Sequence, residues 1–263
     1  SKYNPDNVYV GSNVVHLTSD KAKNWKIISP DLTRKLLEKD PEKADIPGGP
    51  IQNDATGVEV YSSIFALEES PHNEGEIWVG SDDGLIHITR DGGLTWQDIT
   101  PSKIIPYQGT INKIELSSHQ AGRAIVAVYN YRNGDPKPYI ILTNDYGKSW
   151  KLISKDNGIP KDHFVRAIAE DPSKKGLLYA GTEFGAFVSF NDGGDWNSLQ
   201  LNLPNVPITD MEVTQNDLAI STQGRGFWIL DKINVLQGID KVLENNDAPY
   251  LFKPEKALRT TLG

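Results

Sequence analysis

Three observations predict an all-β chain built as a β-propeller of four-stranded antiparallel blades. An eight-residue phrase, Ser/Thr-x-Asp-x-Gly-x-Thr-Trp, occupies residues 89–96 and 143–150, with variant copies at 189–196 and 18–25. Short apolar runs surround each copy, and hairpin signals such as Asp83-Gly84 and Asn133-Gly134 lie between them. Repeats spaced by tens of residues, each too small to bury a hydrophobic face alone, stack into arrays or close into rings.

Each residue of the phrase has a local reason. The acid, Asp20, Asp91 or Asp145 with Asn191 in the third place, accepts hydrogen bonds from N–H groups of a turn. Gly93, Gly147 and Gly193, replaced by Ala22 in the most worn copy, supply a positive φ without a Cβ clash. Trp25, Trp96, Trp150 and Trp196 open the outgoing strand and carry a large ring to bury against the next sheet. All of these residues are expected to be structural.

Taken in order, the chain predicts five blades, at about 7–28, 58–99, 110–153, 164–199 and 208–231. The first offers strands at 8–11, 14–18 and 25–28 and has no inner strand. Residues 29–57 form a long connection, with a short helix expected over 31–38 capped by Ser29 or Asp31. The second blade reads as strands at 60–68, 76–81, 85–89 and 96–99. The third reads as 110–117, 123–129, 139–143 and 150–153, its middle hairpin extended by residues 130–138. The fourth reads as 164–170, 177–181, 186–190 and 196–199. The fifth reads as 208–214, 217–221 and 227–230, with neither a fourth strand nor the repeated phrase. Residues 232–263 depart from the pattern and read as a tail or linker, helical over 234–243 with a short strand at 249–254. A ring must close or leave sheet edges exposed. Three full and two partial blades are therefore expected to be a segment of a larger ring.

Composition narrows the partners. The chain has 263 residues with a net charge of −8, which gives no electrostatic basis for binding nucleic acid or an anionic membrane. It has no Cys, hence no disulfide framework, thiol nucleophile or Cys-based zinc site. No apolar run reaches membrane-spanning length, and Ser1 does not open a signal peptide.

The repeated phrase resembles the Asp-box, or bacterial neuraminidase repeat. Further phrases extend the resemblance: Ile-Ser-Pro-Asp-Leu-Thr at 28–33, Thr-Gly-Val-Glu-Val-Tyr at 56–61, Gly-Ser-Asp-Asp-Gly-Leu at 80–85, Leu-Tyr-Ala-Gly-Thr-Glu at 178–183 and Gly-Arg-Gly-Phe-Trp-Ile-Leu-Asp at 224–231. Over residues 7–255 the chain is similar to the sortilin-like propellers of large bacterial proteins often labelled glycosyl hydrolase. That resemblance implies a secreted, periplasmic or cell-surface protein, further blades in a longer chain, and a glycan or protein ligand. It implies fold far more strongly than activity.

In a propeller, ligands usually meet the face opposite the Trp-bearing turns. The loops expected there carry Tyr61, Asp82, His163, Arg166, Glu183 and Arg225 as candidate ligand-binding residues. Glycoside hydrolysis needs two carboxyl groups at a separation set by its mechanism, and Glu59, Asp82 and Glu183 are the candidates. Asp83 is explained by its Asp-Gly turn alone. The plain alternative for each acid is a solvated or turn-capping side chain. His163 beside Asp162 offers a proton-transfer pair, or a loop histidine next to a solvated acid. The Arg-Ile-Pro phrase typical of sialidases is absent, and Arg90 falls within a Trp-bearing turn. No calcium-loop spacing, nucleophile elbow or phosphate loop appears, so no metal or cofactor is expected. Three functions follow: a recognition propeller without a matched catalytic set, a glycoside hydrolase acting through rim carboxylates, or a scaffold segment whose function lies in the missing blades.

Overall fold

The computed structural model describes residues 1–35, 61–243 and 249–252. They form an all-β protein of five small antiparallel sheets, the blades of a propeller. The first sheet joins β1 (Val8–Gly11), β2 (Val15–Thr18) and β3 (Lys26–Ile27). The second joins β4 (Ile64–Glu69), β5 (Ile77–Ser81), β6 (Ile86–Thr89) and β7 (Gln97–Asp98). The third contains β8 (Thr110–Leu116), β9 (Ala124–Asn130), β10 (Asp135–Thr143) and β11 (Lys151–Leu152). The fourth contains β12 (Val165–Glu170), β13 (Leu178–Thr182), β14 (Gly185–Ser189) and β15 (Asn197–Ser198). The fifth has β16 (Ile208–Val213), β17 (Leu218–Thr222) and β18 (Phe227–Leu230). Two short helices, Asn234–Gln237 and Ile239–Leu243, follow and break at Gly238.

Hydrophobic cores lie between successive blades. Trp78, Ile86 and Ile88 of the second blade pack with Ile114, Val126 and Val128 of the third. Ile125, Ala127 and Ile140, on the other face of the third, pack with Val165, Ile168 and Leu178 of the fourth. Tyr179 and Val188 of the fourth meet Met211 and Leu218 of the fifth. A central strand is thus covered on both faces, which is why β9 is buried along its whole length. A pattern without polar alternation is what a two-sided burial requires.

Gly80 and Gly181 allow this stacking. A Cβ on Gly80 would lie 2.2 Å from Ile111 Cγ2, and one on Gly181 2.4 Å from Ile208 Cγ2. Polar ties reinforce the apolar contacts. His72 Nε2 meets the Ser117 carbonyl oxygen at 3.0 Å, and His119 Nε2 meets that of Asp171 at 2.7 Å, one blade further on. Arg123, 1% exposed, donates from Nη2 to Glu170 at 2.9 Å and also to Asp192 in the fourth blade.

The repeated turns form as their residues predict. Asp91 accepts from the Thr89 hydroxyl at 2.8 Å, the Thr95 amide at 2.9 Å and the Thr95 hydroxyl at 2.6 Å. These bonds hold the carboxyl below the usual carboxylate range, the Thr95 hydroxyl first among them. Asp145 repeats the pattern with Thr143 and Ser149, and Asp20 with Thr18 and Asn24. In the third copy the polarity of one bond reverses: Asn191 Nδ2 donates to Asp195 Oδ2 at 3.0 Å. Gly93 has φ +93°, and Ala22 adopts +62° in the corresponding place.

Several expectations change in detail. The outer strands begin one residue after each Trp and are two residues long. Each Trp of the second, third and fourth blades docks on the preceding blade: Trp96, Trp150 and Trp196 donate to the carbonyls of Ile28, Ile99 and Ile153. Residues 31–35 are not helical, and the rest of the helix expected over 31–38 lies outside the described residues. Residues 249–252 form no strand, and the end of that expected strand also lies outside. Among the described residues, no helix is long and apolar enough to cross a membrane.

Candidate functional site

The hairpins between the second and third strands of each blade build one rim, on the end away from the Trp-bearing turns. Their register explains which side chains meet there. Ser81 pairs with Ile64, Thr182 with Val165 and Thr222 with Ile208, so Asp82, Glu183 and Gln223 hold one position in three blades. The amide of each donates back to the inner-strand lead: Asp82 to the Ser63 carbonyl at 2.9 Å, Glu183 to Phe164 at 3.2 Å, and Gln223 to Pro207 at 2.9 Å. Asp82 and Glu183 therefore share a common geometric origin that their separate sequence contexts conceal.

Among the described residues, Asp82, Asp83 and Glu183 are each bound to protein donors. Asp82 is 7% exposed, and its Oδ1 accepts from the Ser63 amide at 2.9 Å. Burial raises this carboxyl to about 7, with the Asp83 charge adding to the effect against the Ser63 hydrogen bond. Asp83, fully buried, accepts from the Ser81 hydroxyl at 2.6 Å and from the Arg34 amide at 2.8 Å. Arg34 also donates from Nε to the Asp83 carbonyl at 2.7 Å, and its guanidinium lies 4.6 Å from the Tyr107 ring centroid. Glu183 receives Arg166 Nε at 2.9 Å.

Next to Glu183 an aromatic ledge supports Arg166. Tyr131 and Phe164 stack with centroids 4.3 Å apart and planes 18° apart. The Arg166 guanidinium lies 5.0 Å from the Phe164 centroid and 5.5 Å from that of Tyr131. Ring faces attract a delocalised cation, and the guanidinium stays planar against them. Arg132, at the tip of this hairpin, lies 5.9 Å from the Tyr131 ring.

The other candidates sit differently. Tyr61 is 3% exposed, and burial drives its hydroxyl strongly upward, so it offers no surface to a ligand. His163 packs on Phe184 with centroids 4.7 Å apart, while its Nε2 stands 3.9 Å from Asp162, beyond hydrogen-bond reach. Arg225 is exposed at its hairpin tip, where its carbonyl accepts from Trp228 Nε1 at 3.1 Å. Glu59 lies outside the described residues. Arg90 stacks over Tyr146 of the following blade, within the Trp-bearing turns as its position implies. Among the described residues no cluster of His, Asp and Glu could hold a metal ion.

Sequence reasoning does not reach Arg34 and Tyr107 as rim residues. Arg34 lies 49 positions from the acid it grips, and no local pattern announces the pair. A glycosidase-like constellation of one free acid and one free base is not formed by Asp82, Asp83 and Glu183. What the rim offers is a fixed array of aromatic faces, guanidinium groups and a buried acid.

Comparison with known proteins places the fold among propellers. No protein-family model matches the chain. An oligoxyloglucan-reducing end-specific xyloglucanase of Emericella nidulans is 27% identical over 128 residues, covering 48% of this chain and 15% of that protein. Among solved structures, a GH74 xyloglucanase from Xanthomonas campestris superposes with a TM-score of 0.60 at 15% identity, over 88% of this chain and 35% of the other. YCF48 bound to the D1 peptide superposes with a TM-score of 0.51 at 15% identity, over 83% of this chain and 58% of the other. The chain spans well under two thirds of each of these proteins.

Proposed function

We propose that the chain is a ligand-recognition segment of an Asp-box β-propeller in a secreted or surface-attached bacterial protein. Its ligand, a glycan or a protein, meets the face away from the Trp-bearing turns. One observation carries this reading: among the described candidates, Asp82, Asp83 and Glu183 are each bound to protein donors, so these three offer no pair of free carboxyl groups. Tyr131 and Arg166, half-buried and backed by the buried Phe164 ring, suit contact with a ligand face. On this reading residues 1–231 belong to the propeller, whose remaining blades lie in a longer chain, and residues 232–263 are a tail or linker whose Ile233 packs into the core of the last blade.

A second reading has one observation in its favour. Asp82, held at about 7 by burial, matches the protonated acid of a glycoside hydrolase, and the similarity to xyloglucanases agrees with it. Incubation with xyloglucan oligosaccharides separates the two. Recognition predicts that the chain binds without releasing reducing ends. Release that disappears in Asp82→Asn would replace recognition by hydrolysis.

A further inference from the structure

The inner strands of the second to fifth blades each carry a β-bulge at the same level. Pairing slips between Ile64 and Ala66, Ile111 and Lys113, Val165 and Ala167, and Ile208 and Asp210. The residues left over are Phe65, Asn112, Arg166 and Thr209. A bulge re-aims its extra side chain out of the regular alternation. Four bulges at one level re-aim four side chains together, and all four line a single cavity of ≈ 310 Å³ with Lys113 and Asp210.

The two cations of this cavity are paired within the protein, and Glu115 and Glu212 also lie near Lys113. Lys113 Nζ meets Asp210 Oδ1 at 3.0 Å, reaching from the third blade to the fifth across the fourth. Arg166 pairs with Glu183 at 2.9 Å. Asn112 Nδ2 donates to the Arg166 carbonyl, and the hydroxyls of Thr209 and Ser221 lie 2.7 Å apart. Phe65, by contrast, leaves 52% of its surface exposed at the cavity wall. An anionic ligand would need a surplus cation here, which the paired Lys113 and Arg166 do not supply. An apolar ligand would cover amide, hydroxyl and ammonium groups without returning their hydrogen bonds. A sugar ring satisfies each demand: its C–H face lies on an aromatic ring while its hydroxyls exchange bonds with paired polar groups.

We propose that this cavity, framed by the four bulges, binds a neutral, hydroxyl-rich sugar unit of a glycan. Phe65 forms the stacking platform, and Asn112, Thr209 and the Lys113–Asp210 pair are the hydroxyl partners. The proposal rests on the recognition reading and names its ligand class and its inner contact.

Calorimetric titration of the whole chain tests it with three probes: a neutral xylogluco-oligosaccharide, an oligogalacturonate and a basic peptide. The neutral probe should bind, and binding should weaken about tenfold in Phe65→Ala, the loss of one stacked aromatic contact. Thr209→Val, which keeps shape and removes a hydroxyl, should weaken it about threefold to tenfold. Leu94→Ala, 84% exposed on a Trp-bearing turn, should leave affinity unchanged. Melting curves of the three variants check that they fold. Neutral binding that ignores both cavity variants would overturn the site and leave recognition standing. Tighter binding of the oligogalacturonate or the basic peptide would overturn the neutral class, and binding of no probe would overturn the site. Release of reducing ends would tell against recognition alone.

Discussion

Trp150 donates its indole N–H to the carbonyl of Ile99 at 3.0 Å, tying the third blade to the second. Trp96 and Ile28, and Trp196 and Ile153, repeat the bond at 2.9 and 2.7 Å. The turn glycine seats on the same isoleucine: a Cβ on Gly147 would lie 2.7 Å from Ile99 Cδ1. One turn therefore makes an apolar and a polar contact with its neighbour. Trp25, in the first sheet, is 44% exposed.

Trp196→Phe should show what the polar half contributes. The substitution keeps an aromatic ring and leaves the Ile153 carbonyl without its indole donor. Trp196 is 4% exposed, so the expected loss is about 1–3 kcal/mol. Urea unfolding should show a lower midpoint with an unchanged slope. An unchanged midpoint would mean that water replaces the donor at no cost.

Gly80→Ala tests the close approach of the second and third blades. The new methyl would enter the space of Ile111 Cγ2, and overpacking of this kind costs about 1–3 kcal/mol. Ile111→Ala should be destabilising alone by about 2–5 kcal/mol through its cavity. The double variant should be less destabilised than the sum of the two, because each change relieves the other. Strict additivity in the urea midpoints would place the strain elsewhere.

Asn191→Asp should weaken the turn of the fourth blade. It would set two carboxylates together where Asn191 Nδ2 now donates to Asp195 Oδ2 at 3.0 Å. Both positions are exposed, so the expected loss is only about 0.5–1 kcal/mol and shrinks with salt. Adding Asp195→Thr recreates the arrangement of Asp91 with Thr95 and should restore the melting temperature. A double variant no more stable than the single would show that the turns are not interchangeable.

Asp82 makes stability depend on pH in a defined direction. Its folded value, about 7, lies above that of an ordinary carboxylate, so the folded state holds the proton more tightly than the unfolded chain. The associated stability is fully present below about pH 4 and is lost as pH rises through about 7. A shift of this size corresponds to roughly 4 kcal/mol at most. Glu115, also raised to about 7 mainly by burial, acts in the same window. The wild-type unfolding free energy should thus decline from pH 4 to pH 8, and Asp82→Asn should decline less steeply. Parallel profiles would show that the buried acid does not titrate in this range.

Much of the architecture was readable in the linear chain. Asp91, Gly93 and Trp96 announce their turn because its hydrogen bonds run between residues two to four positions apart. Asp83-Gly84 marks a hairpin for the same reason. The direction in which Trp96 packs was not readable, since its partner Ile28 stands 68 positions earlier. Of the rim, Asp82, Arg166 and Glu183 were identifiable as residue types on the right loops. That Arg166 neutralises Glu183 was not, nor that Arg34 grips Asp83.

The sequence by itself therefore determined the turns and the alternation of strands, because each rests on contacts among neighbours in the chain. The tertiary structure alone decided which side chains share a space. Phe65, Asn112, Arg166 and Thr209 look unrelated as letters, and each is one extra residue in a different strand. They meet because the blades hold four bulges at one level, a coincidence of register between strands that no local preference encodes.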